Sequence, residues 1–194
     1  ADTGKKDAES AIARLKSMGL GTVMLTGDEE CSARAVAEQV GIEKVYAKLL
    51  PQEKLETLQK LREEYGSVMF VGDGINDAPA LSQADVGVAM GNGTDIAMES
   101  GDIVIMEGDL ENVVASIQFS KKVMTRIKEN LFWAFAYNSI LIPVAAGVLY
   151  PTFGITFEPA LAGLAMAMSS VTVISLSLML KRYVPEIKRK NSKN

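Results

Sequence analysis

Histidine is absent from the 194 residues, and cysteine occurs once, at Cys31. These absences exclude a disulfide framework and any zinc or copper site built on imidazole. They leave Cys31 as a reduced thiol of the kind found in the cytosol. A long basic run is also missing and the net charge is -4, which argues against a nucleic-acid partner. No secretory leader opens the chain, because Ala1 to Met18 is charged and helix-like. The most telling absence is local. Leu131–Tyr150 and Ala160–Leu180 contain no Asp, Glu, Lys or Arg. Each stretch has about 20 residues, the length of a helix that crosses a bilayer. Two such helices in tandem need more apolar surroundings than a domain of this size supplies, so a transmembrane hairpin is expected.

The flanks give that hairpin an orientation. Lys121, Lys122, Arg126 and Lys128 precede it, and Lys181, Arg182, Lys188, Arg189 and Lys190 follow it. The connection Pro151–Pro159 carries only Glu158. By the positive-inside rule both chain ends lie in the cytoplasm, which implies a multi-pass protein of the cell membrane.

What precedes is a run of short apolar strands and charged helices. Helical spacing marks Asp7–Met18, Cys31–Val40 and Gln52–Glu64. Strands are expected at Thr22–Leu25, Val45–Ala47, Ser67–Val71, Val86–Ala89 and Ile103–Met106, with a short helix at Pro79–Gln83 and the segment Thr94–Glu99 separating the last two strands. Such alternation implies right-handed crossovers and a mostly parallel sheet. The fold class is therefore α/β, a partial Rossmann-like parallel sheet followed by the two-helix hairpin. The divisions expected are 1–118 for the sheet domain, 119–185 for a connecting helix and the hairpin (about 131–150 and 160–180), and 186–194 for a basic tail.

One string dominates the sheet domain: Val71-Gly72-Asp73-Gly74-Ile75-Asn76-Asp77-Ala78-Pro79. It follows a strand and so lies at the carboxyl edge of the sheet, where open α/β sheets bind ligands. Asp73, Asn76 and Asp77 offer the hard oxygen donors that Mg2+ prefers, with a phosphate left to complete its shell. The string resembles the magnesium-binding hinge of P-type ATPases, a branch of the haloacid dehalogenase superfamily. Thr26-Gly27-Asp28 ends an earlier strand, where a hydroxyl and backbone N–H groups can reach a phosphate oxygen. Lys54 sits in the first turn of a helix, where an ammonium can neutralise a transferring phosphoryl group. In the order Thr26, Lys54, Asp73 and Asp77 they resemble the superfamily's second, third and fourth motifs. The resemblance implies a phosphoryl-transfer site with Mg2+ as cofactor and ATP as substrate of the complete pump, and no residue here can be assigned to ATP.

The superfamily's first motif, Asp-Lys-Thr-Gly-Thr, does not occur in this sequence. Asp2 in Ala1-Asp2-Thr3-Gly4-Lys5 has the wrong spacing and no strand before it. Without that aspartate the phosphoryl group has no acceptor, so the segment by itself is expected to be inactive. The first-motif strand lies in the middle of the family's sheet, so its absence is expected to leave two unpaired edges. The missing portion of the pump then counts as a partner. Two other readings are a membrane-tethered phosphatase of the same superfamily and a non-catalytic fragment that works with a partner chain.

The uncharged stretches carry few polar groups. Tyr137 and Asn138 in the first, and Met166 with Ser170 in the second, resemble the last two membrane helices of copper(I)-transporting P-type ATPases. There these residues imply an ion path. A thioether suits a soft ion, Cu(I) or Ag(I), and the Lys and Asp expected of zinc and cadmium pumps in these helices are lacking. The implied activity is export of Cu(I) or Ag(I) across the bilayer through an aspartyl-phosphate.

Overall fold

The computed structural model describes residues 3–72, 77–91, 100–106, 108–154 and 159–187, apart from the side chains of 3–6, 159–162 and 165. It divides into two compact units, Ala1–Ser116 and Ile117–Asn194.

In the first unit the expected alternation is present: α1 (Thr3–Ser17), β1 (Val23–Leu25), α2 (Glu30–Val40), β2 (Lys44–Tyr46), α3 (Pro51–Tyr65), β3 (Met69–Gly72), α4 (Ala78–Gln83), β4 (Val86–Met90) and β5 (Ile103–Ile105). The segment Thr94–Glu99 between the last two strands lies outside the described residues. α3 begins where Pro51 fixes the backbone angle of the first turn without wasting a donor. The Glu53 carboxylate then reaches back to accept the Leu50 N–H at 2.7 Å, satisfying a group that the helix cannot.

Every strand pairing is parallel, but the sheet comes in two pieces. β1 pairs only with β2, and β3, β4 and β5 form a second sheet in that order. β1 and β3 each keep one edge unpaired among the described residues. A common core binds the pieces together: Leu58, Phe70, Ala80, Leu81 and Ala89 are buried in one cluster, and Leu25 of β1 packs against it. Complete burial of a side chain such as Leu81 contributes roughly 2 kcal/mol. α4 lies so close to β4 that a Cβ at Gly87 would meet the Leu81 carbonyl oxygen at 2.3 Å. Only glycine permits that approach.

The second unit consists of α5 (Leu110–Ala145) from Ile117 onward, α6 (Tyr150–Phe153), α7 (Pro159–Leu178) and a 3-10 turn, Met179–Arg182. The expected span 131–150 needs correction. α5 ends at Ala145, two residues after Pro143, and the chain turns before α6 begins at Tyr150. Its uncharged part, 131–145, covers only about 22 Å at 1.5 Å per residue. The second stretch fares better, because α7 is helical and uncharged over 20 residues. Among the described residues, however, no helix is long and apolar enough to cross a membrane. Five side chains of α7 (159–162 and 165) are outside those residues.

α5 meets the end of α7 and the chain after it in antiparallel order. Asn130 Nδ2 donates to Ser177 Oγ at 3.0 Å, the rings of Phe119 and Tyr183 are 6.3 Å apart, and the Ile187 N–H donates to Gln118 Oε1 at 3.4 Å. Most of the large apolar side chains here face outward. Phe135 is 69% exposed, Ile140 66% and Met166 65%.

Candidate phosphate and metal site

Three chain segments meet at the carboxyl ends of β1, β2 and β3. The loop after β1 contains Thr26, Gly27 and Asp28. Thr26 Oγ1 donates to Asp28 Oδ2 at 2.9 Å and accepts the Asp28 N–H at 3.1 Å, so hydroxyl and carboxylate are held in one small turn. The loop after β2 is laced to it. The Leu49 N–H donates to the Thr26 carbonyl at 3.1 Å and the Lys48 N–H to the Asp28 carbonyl at 2.9 Å. Lys48 takes a left-handed φ of +57° to do so. Because α3 starts directly after this loop, its first turn is fixed beside Thr26.

That first turn carries Lys54, and its ammonium crosses to the other half of the sheet. Lys54 Nζ lies 2.9 Å from Asp77 Oδ1. The two side chains are only 19% and 14% exposed, so little water screens the pair. Gly72 makes room for Asp77. A Cβ there would stand 3.0 Å from Asp77 Oδ2 and 2.9 Å from a Phe70 ring carbon. The residues Gly72 and Glu53 were not singled out from the sequence. Glu53 could have been found from its position, three residues after Leu50 and two after Pro51. Gly72 carries no such signal, because its role depends on how the loop folds back.

Of the magnesium-type donors, Asp77 is placed as described, whereas Asp73 and Asn76 lie outside the described residues. Among the described residues no group of three or more carboxylate, thiol or imidazole side chains could hold a metal. The chemistry of what is present nevertheless suits Mg2+ with a phosphate. One carboxylate stands beside one ammonium at the sheet edge, and Mg2+ commonly takes just one or two protein carboxylates and fills its shell with phosphate and water.

No described hydrogen bond joins Tyr137 or Asn138 of the first uncharged helix to Met166 or Ser170 of the second. Asn138 Nδ2 donates to the Ala134 carbonyl at 2.9 Å and Ser170 Oγ to the Met166 carbonyl at 3.4 Å. Both bonds fall within one helix, where such back-bonding satisfies a polar group in apolar surroundings. Tyr137 stands 6.1 Å, ring to ring, from Trp133, and the Met166 thioether is exposed. The polar link between the helices is Asn130 to Ser177, near the charged ends.

Comparison with known proteins places this arrangement. A family model described as haloacid dehalogenase-like hydrolase matches residues 1–85. A probable copper-exporting P-type ATPase of Archaeoglobus fulgidus is 55% identical over 188 residues, 97% of this chain and 23% of that protein. Copper-transporting ATPase 2 of Mus musculus is 50% identical over 190 residues, 97% of this chain and 13% of that protein. The crystal structure of a zinc-transporting PIB-type ATPase superposes with a TM-score of 0.78 at 34% identity, covering 90% of this chain and 27% of that one. The chain belongs to the P-type ATPases. It spans less than a quarter of the length of these curated relatives. Within a P-type ATPase segment, the Lys54–Asp77 pair and the Thr26 turn occupy the same edge of a haloacid dehalogenase-like sheet.

Proposed function

We propose that this segment is the C-terminal part of a Cu(I)-exporting pump. In this reading 1–118 is the latter part of the phosphorylation domain, 119–185 the connecting helix and final membrane hairpin, and 186–194 a cytoplasmic tail. The observation that carries it is Lys54 held at 2.9 Å from Asp77 across the two half-sheets, with the Thr26 turn laced to the start of the same helix. The ammonium and carboxylate pair at the sheet edge, and the hydroxyl turn is tied to the start of the helix that carries the ammonium, an arrangement suited to a phosphoryl group.

In the complete pump a further parallel strand ending in the acceptor aspartate pairs with the open edges of β1 and β3. The Lys54 ammonium then neutralises charge developing on the phosphoryl oxygens, and the Thr26 hydroxyl and Gly27-Asp28 backbone hold one of them. Asp73 and Asp77, supported by Asn76, are the residues that would hold Mg2+, which supplies charge neutralisation and alignment of the phosphoryl group when bound. The part-buried position of the Lys54–Asp77 pair strengthens such stabilisation.

The hairpin reading is supported by α7, uncharged over 20 residues, and by the apolar side chains that unit 2 turns outward. A soluble protein rarely exposes so continuous an apolar surface. Tyr137, Asn138, Met166 and Ser170 then contribute to the ion path. Cu(I) is favoured over Zn2+ because the path offers a thioether and no carboxylate, and because the copper-transporting relatives are the more similar in sequence. Asp73→Asn or Lys54→Met in the complete pump should cut Cu(I)-dependent ATP turnover by at least about 100-fold. Turnover that stayed within a few-fold of the parent would end the phosphate-site reading. Met166→Ala should lower Cu(I) transport while leaving phosphorylation by inorganic phosphate intact.

A further inference from the structure

Resting on the hairpin reading, a second feature of unit 2 goes beyond transport. Three contacts fix the register of α5 against the last turn of α7 and the chain after it: Asn130 with Ser177, Phe119 with Tyr183, and Gln118 with Ile187. Lys181 and Arg182 fall between the first two contacts, so they lie level with residues 121–128 of α5. That stretch carries Lys121, Lys122, Arg126 and Lys128. Six cations therefore share a band about 11 Å deep, the rise of eight helical residues. Only Glu129 and Glu186 oppose them within the described part of the unit. Glu129 is already bonded to Arg126 at 2.7 Å.

Lys122, Lys128, Lys181 and Arg182 have no carboxylate partner among the described residues. One more helical turn along α5 the character changes abruptly, to exposed Leu131, Phe132 and Trp133. Trp133 is the sole tryptophan of the chain, and a tryptophan at such a boundary sits at headgroup level. Arg126 adds a further sign of an incomplete site: its Nε is buried without a hydrogen-bond partner, as is Oδ1 of Asn130 one turn away.

We propose that this band is a binding surface for anionic phospholipid headgroups. Orientation by the positive-inside rule needs only an excess of cations on one side. Here unpaired cations of α5 and of the turn after α7 are brought to one level directly below an aromatic boundary, which suits phosphate-bearing headgroups of a charged leaflet. The partner is the lipid itself, and not a soluble anion, because the band continues into the apolar surface that the acyl chains would cover.

Trp133 supplies the test. The full chain is reconstituted in vesicles of phosphatidylcholine and phosphatidylglycerol, with the bromine quencher placed on the acyl chains of one lipid or the other. The expected result is that brominated phosphatidylglycerol quenches Trp133 as though enriched roughly two- to fivefold over the bulk. The enrichment should vanish in K122Q/K128Q/K181Q/R182Q and shrink at high salt. Quenching by the two lipids in proportion to their mole fractions, in parent and variant alike, overturns the headgroup site and leaves the hairpin standing. Absence of quenching by either lipid overturns the membrane reading and this proposal with it. Inorganic phosphate that abolished the enrichment at millimolar concentration would show a soluble-anion site and likewise overturn it.

Discussion

The Lys54–Asp77 pair can be tested without any turnover assay. At 2.9 Å the gross Coulomb attraction at an effective dielectric of 20 is about 6 kcal/mol. Most of this is offset by the solvation both groups gave up, since their side chains retain 19% and 14% exposure. The measurable quantity is therefore the cost of stranding one of them. Lys54→Met keeps the aliphatic stem and leaves the Asp77 carboxylate without its counter-charge, which should cost about 3 kcal/mol. The double variant K54M/D77N leaves no charge to strand and should recover about 2 kcal/mol of that loss. Native-state hydrogen exchange of the full chain gives the readout, through the amides of Phe70 in β3 and Leu58 in α3, which belong to the core cluster beside the pair. A K54M loss below about 1 kcal/mol, or a double variant no better than K54M, would show that Lys54 is not seated on Asp77. The convergence that underlies the phosphate site would then fall.

Three other outcomes follow from particular contacts. Gly87→Ala drives a Cβ into the Leu81 carbonyl, which would be 2.3 Å away; backbone must move, and a loss of about 3 kcal/mol is expected in the same exchange experiment. At the far end of β2, the Lys44 ammonium bonds Glu64 and the Tyr65 hydroxyl, holding the Glu64 carboxyl below its ordinary 4.5, and Lys16 does the same for Glu43. With folded values below the unfolded one, these ties stabilise the unit above about pH 4.5 and are lost as pH falls below it through the lower folded values. Exchange protection at 44–46 and 61–65, corrected for intrinsic rates, should therefore decline on acidification, and E64Q should remove part of the decline. The same Lys44 is raised by Tyr65 and then Glu64, so its contribution persists below about 10.5 and fades above it; E64Q that left both limbs unchanged would contradict the assignment.

Local chemistry made much of unit 1 legible. Leu55, Leu58 and Leu61 at helical spacing, with Pro51 at the start, marked α3 to within a residue at each end. The apolar runs at 69–71 and 86–89 marked β3 and β4, because a short strand buried on both faces must be apolar throughout. The parallel direction followed from the alternation of elements. The first membrane helix, expected over about 131–150, stops at Ala145; absence of charge does not reveal where α5 ends. Its end depends on the turn after Ala145.

The amino-acid sequence by itself determined the order of Thr26, Lys54, Asp73 and Asp77, the lack of an aspartate acceptor motif, and the absence of charge from 131–150 and 160–180. Those properties are written in residue types and spacings of a few positions. Tertiary structure alone decided that Lys54, 23 residues before Asp77, reaches it across two half-sheets. It also decided that Gly72 clears the space for that carboxylate, and that cations on either side of the hairpin fall at one level. Each of these joins groups far apart in the chain. Their distances are set by how the core packs, and no local pattern encodes them.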